Sequence, residues 1–141
     1  MYLLDVNVLM ALAWDDHEHH ARAHAWFAQF SNAGFATCNV TQSGFLRVSL
    51  NPKVMNCRLG ISEIFAQLES FTKHPNHKFW EDGALQTESP VWQKVTGHGQ
   101  VTDTNLALIA HRHGGKLVTL DGAIQNRLQN KEKIWVDLIP E

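Results

Sequence analysis

At 141 residues, with 44% hydrophobic and 18% charged side chains and a formal net charge of −2, the chain has the size and composition of one globular domain over residues 1–141. That balance excludes a disordered or low-complexity chain, and it excludes a domain drawn to nucleic acid by overall positive charge alone. A local basic patch stays compatible with the total, the more so if several acids share one cation site.

Read in chain order, YLL at 2–4 is a short buried strand that ends at Asp5. From Asn7 the spacing predicts a helix with Val8, Leu9, Leu12 and Ala13 on one face, broken at Asp15-Asp16. The same VLMALA run has an Ala-x-Ala pattern, but no Lys or Arg precedes it and Asp5 and Asn7 interrupt it. A signal peptide and a membrane span are therefore not expected, and a cytoplasmic protein is. Residues 17–30, HEHHARAHAWFAQF, read as a second helix with Ala21, Ala25 and Trp26 or Ala28 inward, closed by Asn32 and Gly34. FATCNV at 35–40 is the next strand, and Thr41 is the expected N-cap of a helix that Asn51-Pro52 stops.

Residues 61–73 form the most amphipathic helix, with Ile61, Ile64, Phe65, Leu68 and Phe71 recurring at three and four. KFW at 78–80 reads as a short strand, and a short helix is expected around Val91 and Trp92. A helix begins at Thr102 or Asp103, with Leu106, Ile109 and Ala110 inside and Gly114-Gly115 at its end. KLVTL at 116–120 is a strand ending at Asp121-Gly122, and IWVDLI at 134–139 is the last strand. Short apolar strands alternating with helices argue for an α/β domain with a mostly parallel sheet. No GxGxxG follows the first strand, so a dinucleotide site of the usual kind lacks support. The two cysteines, Cys38 and Cys57, form no CxxC and read as free thiols in a reducing compartment.

Three acids fall at comparable places. Asp5 ends the first strand, Asp121 ends the KLVTL strand, and Asp103 opens a helix. Alone, Asp103 reads as a favourable first-turn acid and Asp121-Gly122 as a turn pair. Asp5 is harder to dismiss, because a buried carboxylate without compensation is costly. Ligands of open parallel sheets bind outside the carboxyl ends of the strands, so Asp5 and Asp121 should share one crevice, with Gln42 in reach after the FATCNV strand. Clustered carboxylates without Cys or His ligands suit a hard cation, Mg²⁺ or Mn²⁺, and metal-assisted phosphodiester hydrolysis.

LLDVNVLMAL at 3–12, TQSGFLRVSLNP at 41–52, VTDTNLALIA at 101–110 and LVTLDGAI at 117–124 together resemble the PIN domain, and within it the VapC-type toxins of toxin–antitoxin pairs. The resemblance implies a PIN-like three-layer α/β/α sandwich with a mostly parallel central sheet. It implies a metal-dependent endoribonuclease acting on RNA such as tRNA or ribosomal RNA, a homodimer, and a VapB-type antitoxin that covers the site. On it, Asp5, Asp103 and Asp121 match the family's metal-binding acids, Asn7 the small polar residue two after the first acid, and Thr119 the hydroxyl residue two before the last. Gln42 stands where many members carry Glu; it keeps an oxygen but lacks the charge, and so keeps open a catalytically weak or inactive PIN-like module that acts by binding.

Other features have competing readings. His17, His20 and His24 are spaced to chelate a transition metal or to form a solvated helix face. Arg47 is a phosphate contact or a helix-bracing ion pair. Lys53, Arg58, Arg112 and Lys116 are candidates for an RNA-facing patch. Trp26, Trp80 and Trp92 are base-stacking or core residues, core being the expectation for most. The 61–73 helix is core by default and a candidate wall of the antitoxin groove.

Overall fold

The computed structural model describes residues 1–128 and 131–141. Five strands, β1 (Tyr2–Leu4), β2 (Phe35–Thr37), β3 (His77–Phe79), β4 (Lys116–Thr119) and β5 (Val136–Leu138), form one sheet in the order β3-β2-β1-β4-β5. Every pairing is parallel. Parallel strands need crossovers, and helices supply them. Between β1 and β2 run α1 (Val6–Ala13) and α2 (His20–Phe30); between β2 and β3 run α3 (Asn39–Ser49) and α4 (Ile61–Thr72). Then α5 (Val101–Arg112) leads into β4, and α6 (Ala123–Arg127) follows it.

The strands are only three or four residues long; the inner ones, β1, β2 and β4, are covered on both faces, which is why they read as apolar runs and not as alternating ones, while the edge strands β3 and β5 are partly exposed. Leu4, Phe35 and Val118 join one core with α1–α4. Leu3, Ala36 and Leu117 point the other way, into a second core with α5 and Ile124 of α6. The result is the α/β/α sandwich expected. From β1 the chain steps outward to β2 and β3, then returns to the other side of β1 for β4 and β5. The reversal lies between β1 and β4, where the carboxyl ends of an open sheet leave a crevice.

Several boundaries differ from the sequence reading. β2 stops at Thr37, and Cys38, not Thr41, is the N-cap of α3. Thr41 is the third helical residue, and its buried hydroxyl accepts the Cys38 N–H at 2.9 Å. The outer amides of that helix start, Asn39 N and Val40 N, donate to the Asp82 carboxylate from a distant loop. Gly44 permits a close approach, since a methyl group there would lie 2.6 Å from Val6 Cγ2 and push α3 off α1. In α2 the inward residues are Ala23 and Trp26, while Ala21, Ala25 and Ala28 face outward. In α4 only Ile64, Leu68 and Phe71 are buried; Ile61 and Phe65 are exposed. The expected short helix near Val91 is a 3-10 turn over Pro90–Lys94, and another over Lys133–Trp135 shortens the last strand. The sequence reading did not anticipate α6. Among the described residues no helix is long and apolar enough to cross a membrane.

Candidate active site

The register of β1 on β4 pairs Leu4 with Val118, so one step further Asp5 lies beside Thr119 at the carboxyl rim. Asp5 is the last residue before α1 and acts as its N-cap, a position where a carboxylate suits both the free amides and the helix dipole. Its Oδ1 accepts from Val6 N at 2.7 Å, and its Oδ2 accepts from the Thr119 hydroxyl at 2.7 Å. Those bonds favour ionisation, but Asp5 is only 6% exposed. Burial outweighs them and, with the nearby charges of Asp103 and Asp121, pushes the Asp5 carboxyl up to about 6.

Thr119, fully buried, ties the rim together. Besides donating to Asp5, its oxygen accepts from Asn7 Nδ2 at 3.0 Å and from Asp121 N at 3.1 Å. Asn7 closes the ring by accepting from Leu120 N at 3.1 Å. Asn7 therefore fixes the turn after β4, and the turn fixes Asp121. The Asp121 carboxylate is at the surface and accepts from Ala123 N at 2.9 Å, an Asx turn that starts α6. Asp103, in the first turn of α5, pairs with Arg127 of α6: Nη2 to Oδ2 is 2.9 Å, and both side chains are about four-fifths shielded.

Arg127 is the residue that sequence reasoning missed. Its signal was weak, a lone basic residue in a short segment with no clear helical period, and only the fold brings it against Asp103.

A cavity of about 630 Å³ opens on this rim. Asp5, Asn7, Thr102 and Asp103 line it, and Asp16 and Glu18 add two further carboxylates from the α1–α2 connection. Among the described residues no three His, Cys, Asp or Glu side chains already stand close enough to chelate one ion. The reason is visible in the bonds: Asp103 is turned to Arg127 and Asp121 to its own helix start. The donor set still fits a hard cation. It is all oxygen, Asp5 and Asp103 share a cavity, and the rise in the Asp5 carboxyl, due first to burial and then to the charges of Asp103 and Asp121, is one that a cation would offset.

Residues 2–129 match the PIN domain family. The chain belongs to that family. It is 41% identical to Ribonuclease VapC38 of Mycobacterium tuberculosis over 99% of this chain and 98% of the relative. It is 43% identical to Ribonuclease VapC39 over 86% of this chain and 89% of that one, and 37% identical to Ribonuclease VapC44 over 86% and 87%, both from the same species. The VapC-type resemblance seen in the four sequence blocks therefore holds along the PIN domain.

The remaining candidates of this PIN domain separate clearly. Gln42 does not line the cavity; its Nε2 donates to the Thr37 hydroxyl at 2.9 Å, and Thr37 in turn contacts His77 Nε2 at 2.8 Å. Arg47 is exposed on the cavity wall and, among the described residues, has no ion pair or hydrogen-bond partner. Lys116 begins β4, at the opposite rim from Thr119, and pairs with Asp137 at 3.0 Å. Arg112 ends α5, far along the helix from Asp103, and latches the loop carbonyls of Asp82 and Ala84 at 2.7 Å each. Neither shares a face with the acids. Lys53 and Arg58 are exposed in the segment between α3 and α4.

His17 lies before α2 on the cavity wall, while His20 and the exposed His24 lie on α2 and also bond to α1. His20 Nδ1 contacts Ala11 O at 2.8 Å and His24 Nε2 contacts Leu12 O at 3.0 Å. They occupy carbonyls at the C-terminus of α1, groups that its own hydrogen bonds leave free. Trp26 and Trp80 are buried core residues, and Trp92 is half-buried with its indole N–H on Gln86 O at 2.9 Å. Cys38 is buried and Cys57 exposed, both free.

Proposed function

We propose that this chain, acting as a single PIN domain over residues 1–141, is a Mg²⁺- or Mn²⁺-dependent endoribonuclease, the toxin of a type II toxin–antitoxin pair. The observation that carries the reading is the Asp5 site: a carboxylate held by Thr119 and Val6 and raised by its burial and, to a lesser degree, by two neighbouring acids, at the switch point of a parallel sheet. Family membership and relatives named as ribonucleases support the same chemistry. Asp5, Asp103 and Asp121 would hold the cation. When bound, it would neutralise the scissile phosphate and activate a water for in-line attack.

The protein's own groups do the positioning. Thr119 donates its hydroxyl hydrogen bond to Asp5 Oδ2 and so favours the ionised form that a cation requires. Asn7 fixes the turn that sets Asp121. Arg127 holds Asp103 until the cation competes for it. Arg47 offers a phosphate contact on the cavity wall. Gln42, neutral and tied to Thr37, supports one cation site built on three acids. The partners are structured RNA, tRNA or ribosomal RNA, a VapB-type antitoxin and a second copy of the chain, in the cytoplasm.

The test is a Mn²⁺ titration of purified protein against tRNA, beside Asp5→Asn. Cleavage that needs the ion and Asp5 supports the proposal; cleavage that survives EDTA or Asp5→Asn overturns it. Asp5-independent RNA binding without cleavage would favour the binding module that the uncharged Gln42 leaves open.

A further inference from the structure

We infer that the cavity beside Asp5 holds a subsite for one unstacked RNA base, with Trp14 as the surface it stacks on; this rests on the ribonuclease reading above. Met10, Trp14, Val48, Val54 and Met55 line the same cavity as Asp5 and Asp103, with Asp16, His17 and Glu18 also on its wall. Its volume of about 630 Å³ is that of a small-molecule site, larger than a phosphate needs. In RNA every phosphate carries its bases a sugar away, so a phosphodiester brought to the acids brings a base to the neighbouring wall.

Trp14 is built to receive that base. It caps the C-terminus of the same helix whose N-cap is Asp5, so the two are about 13 Å apart along α1 at 1.5 Å per residue. That reach belongs to a nucleotide next to the cut, not to the reacting phosphate itself. The indole is locked: its N–H donates to Ser49 Oγ at 3.1 Å, and one ring face stacks on Phe45 with centroids 6.1 Å apart and planes 8° apart. Ser49 is itself buried and donates to Met10 Sδ at 3.2 Å. The ring lines the cavity half-buried, with one face packed and its polar edge satisfied, and its other face is the one we assign to the base. Recognition of unpaired RNA uses such faces, and stacking tolerates any base. The thioethers of Met10 and Met55 adapt to ring edges. Arg47, on the same wall, supplies a cation for the backbone between subsite and acids.

A cycle of protein and substrate changes tests this. Short RNAs containing the cleavage site would carry an abasic residue at each position flanking the cut in turn, and each would be cleaved by wild type, Trp14→Leu and Trp14→Phe in Mn²⁺. At one position the abasic change should slow wild type roughly tenfold. Trp14→Leu should slow the intact RNA by a similar factor and then be indifferent to the abasic change. Trp14→Phe, which keeps a ring, should retain most of the wild-type sensitivity. Melting curves identify any variant that fails to fold; if Trp14→Leu does, Trp14→Met, which keeps apolar bulk without a ring, carries the comparison with the same expected and overturning outcomes. Equal abasic penalties in wild type and Trp14→Leu at every position overturn the subsite. If no protein cleaves, fluorescence anisotropy with the same RNAs runs the same cycle on binding, so that the subsite stands or falls apart from the nuclease reading. RNA that is neither cut nor bound overturns both.

Discussion

The two sides of β1 carry hydrogen-bonded clusters of similar size and opposite character. On the β2 side, Gln42, Thr37 and His77 are neutral partners: the Thr37 hydroxyl accepts from Gln42, and burial holds the His77 imidazole below its ordinary value, so Thr37 can donate to it. On the β4 side, Thr119 plays the same part for Asp5, Asn7 and Asp121, but the group it serves is an acid, buried near two more acids. The first cluster is at rest without any ligand. The second keeps an electrostatic demand that nothing within the described residues fully meets. One fold thus separates a polar cluster that stabilises the molecule from one that is useful because it does not.

Substitutions should split along that line. Asp5→Asn should abolish divalent-dependent RNA cleavage, a loss beyond the ~10–100-fold that removing an outer partner costs, measured by gel with Mn²⁺ present. Thr119→Val should fall within that ~10–100-fold range, since it removes the bond that favours the Asp5 anion. Gln42→Ala should leave cleavage within a few-fold while costing about 1 kcal/mol of stability in urea, through the lost bond to Thr37. Cleavage lost in Gln42→Ala and kept in Thr119→Val would reverse the comparison.

A pH series without divalent ions isolates the charge. Asp5 lies near 6 in the folded protein against 3.8 as its ordinary value. Between those values the folded state holds the extra proton, so stability should fall as pH rises from about 4 to about 6 and level off above, by about 3 kcal/mol at most. Asp5→Asn should remove that slope and melt higher than wild type at pH 7.5. A wild-type slope of the opposite sign would mean that Asp5 is comfortable as an anion.

Arg127→Gln should show two smaller effects of opposite direction. Freed of its partner, Asp103 should bind Mn²⁺ several-fold more tightly by calorimetry, while the protein without ions loses about 1 kcal/mol. General damage to the fold would lower both. The smallest effect belongs to the histidines: His24→Ala should cost at most about 1 kcal/mol, from the bond to Leu12 O, with cleavage unchanged.

The strands and the acids were legible because each is a sharp break in pattern. A run of three or four apolar residues buried on both faces, ended by a carboxylate, looks like little else. The inward face of α2 was not legible, because alanines at 21, 23, 25 and 28 point all round the helix and cannot choose a side; Trp26 chose it. Ile61 and Phe65 obey the helical period yet face outward, since α4 packs through a narrower stripe than its sequence offers. Thr41 was misplaced at the N-cap because the true cap draws its carboxylate from Asp82, more than forty residues away. Arg127 and the two capping histidines share that difficulty: their partners lie on other elements, and spacing along one element cannot reveal them.

The Thr119 hydroxyl has one hydrogen and three neighbours that constrain where it points. Asn7 Nδ2 and Asp121 N arrive as donors, and of the two acceptors the Asp5 Oδ2 at 2.7 Å is far closer than the Asn7 Oδ1 at 3.4 Å, so the hydrogen goes to Asp5. Thr119 is fully buried, and its hydroxyl should therefore exchange slowly enough with bulk water to be seen by magnetic resonance. A resolved hydroxyl signal from a single threonine would thus act as a built-in meter: its chemical shift would move when Asp5 gains a proton and move again when a cation draws the carboxylate away. The site can be watched from within, without attaching a label.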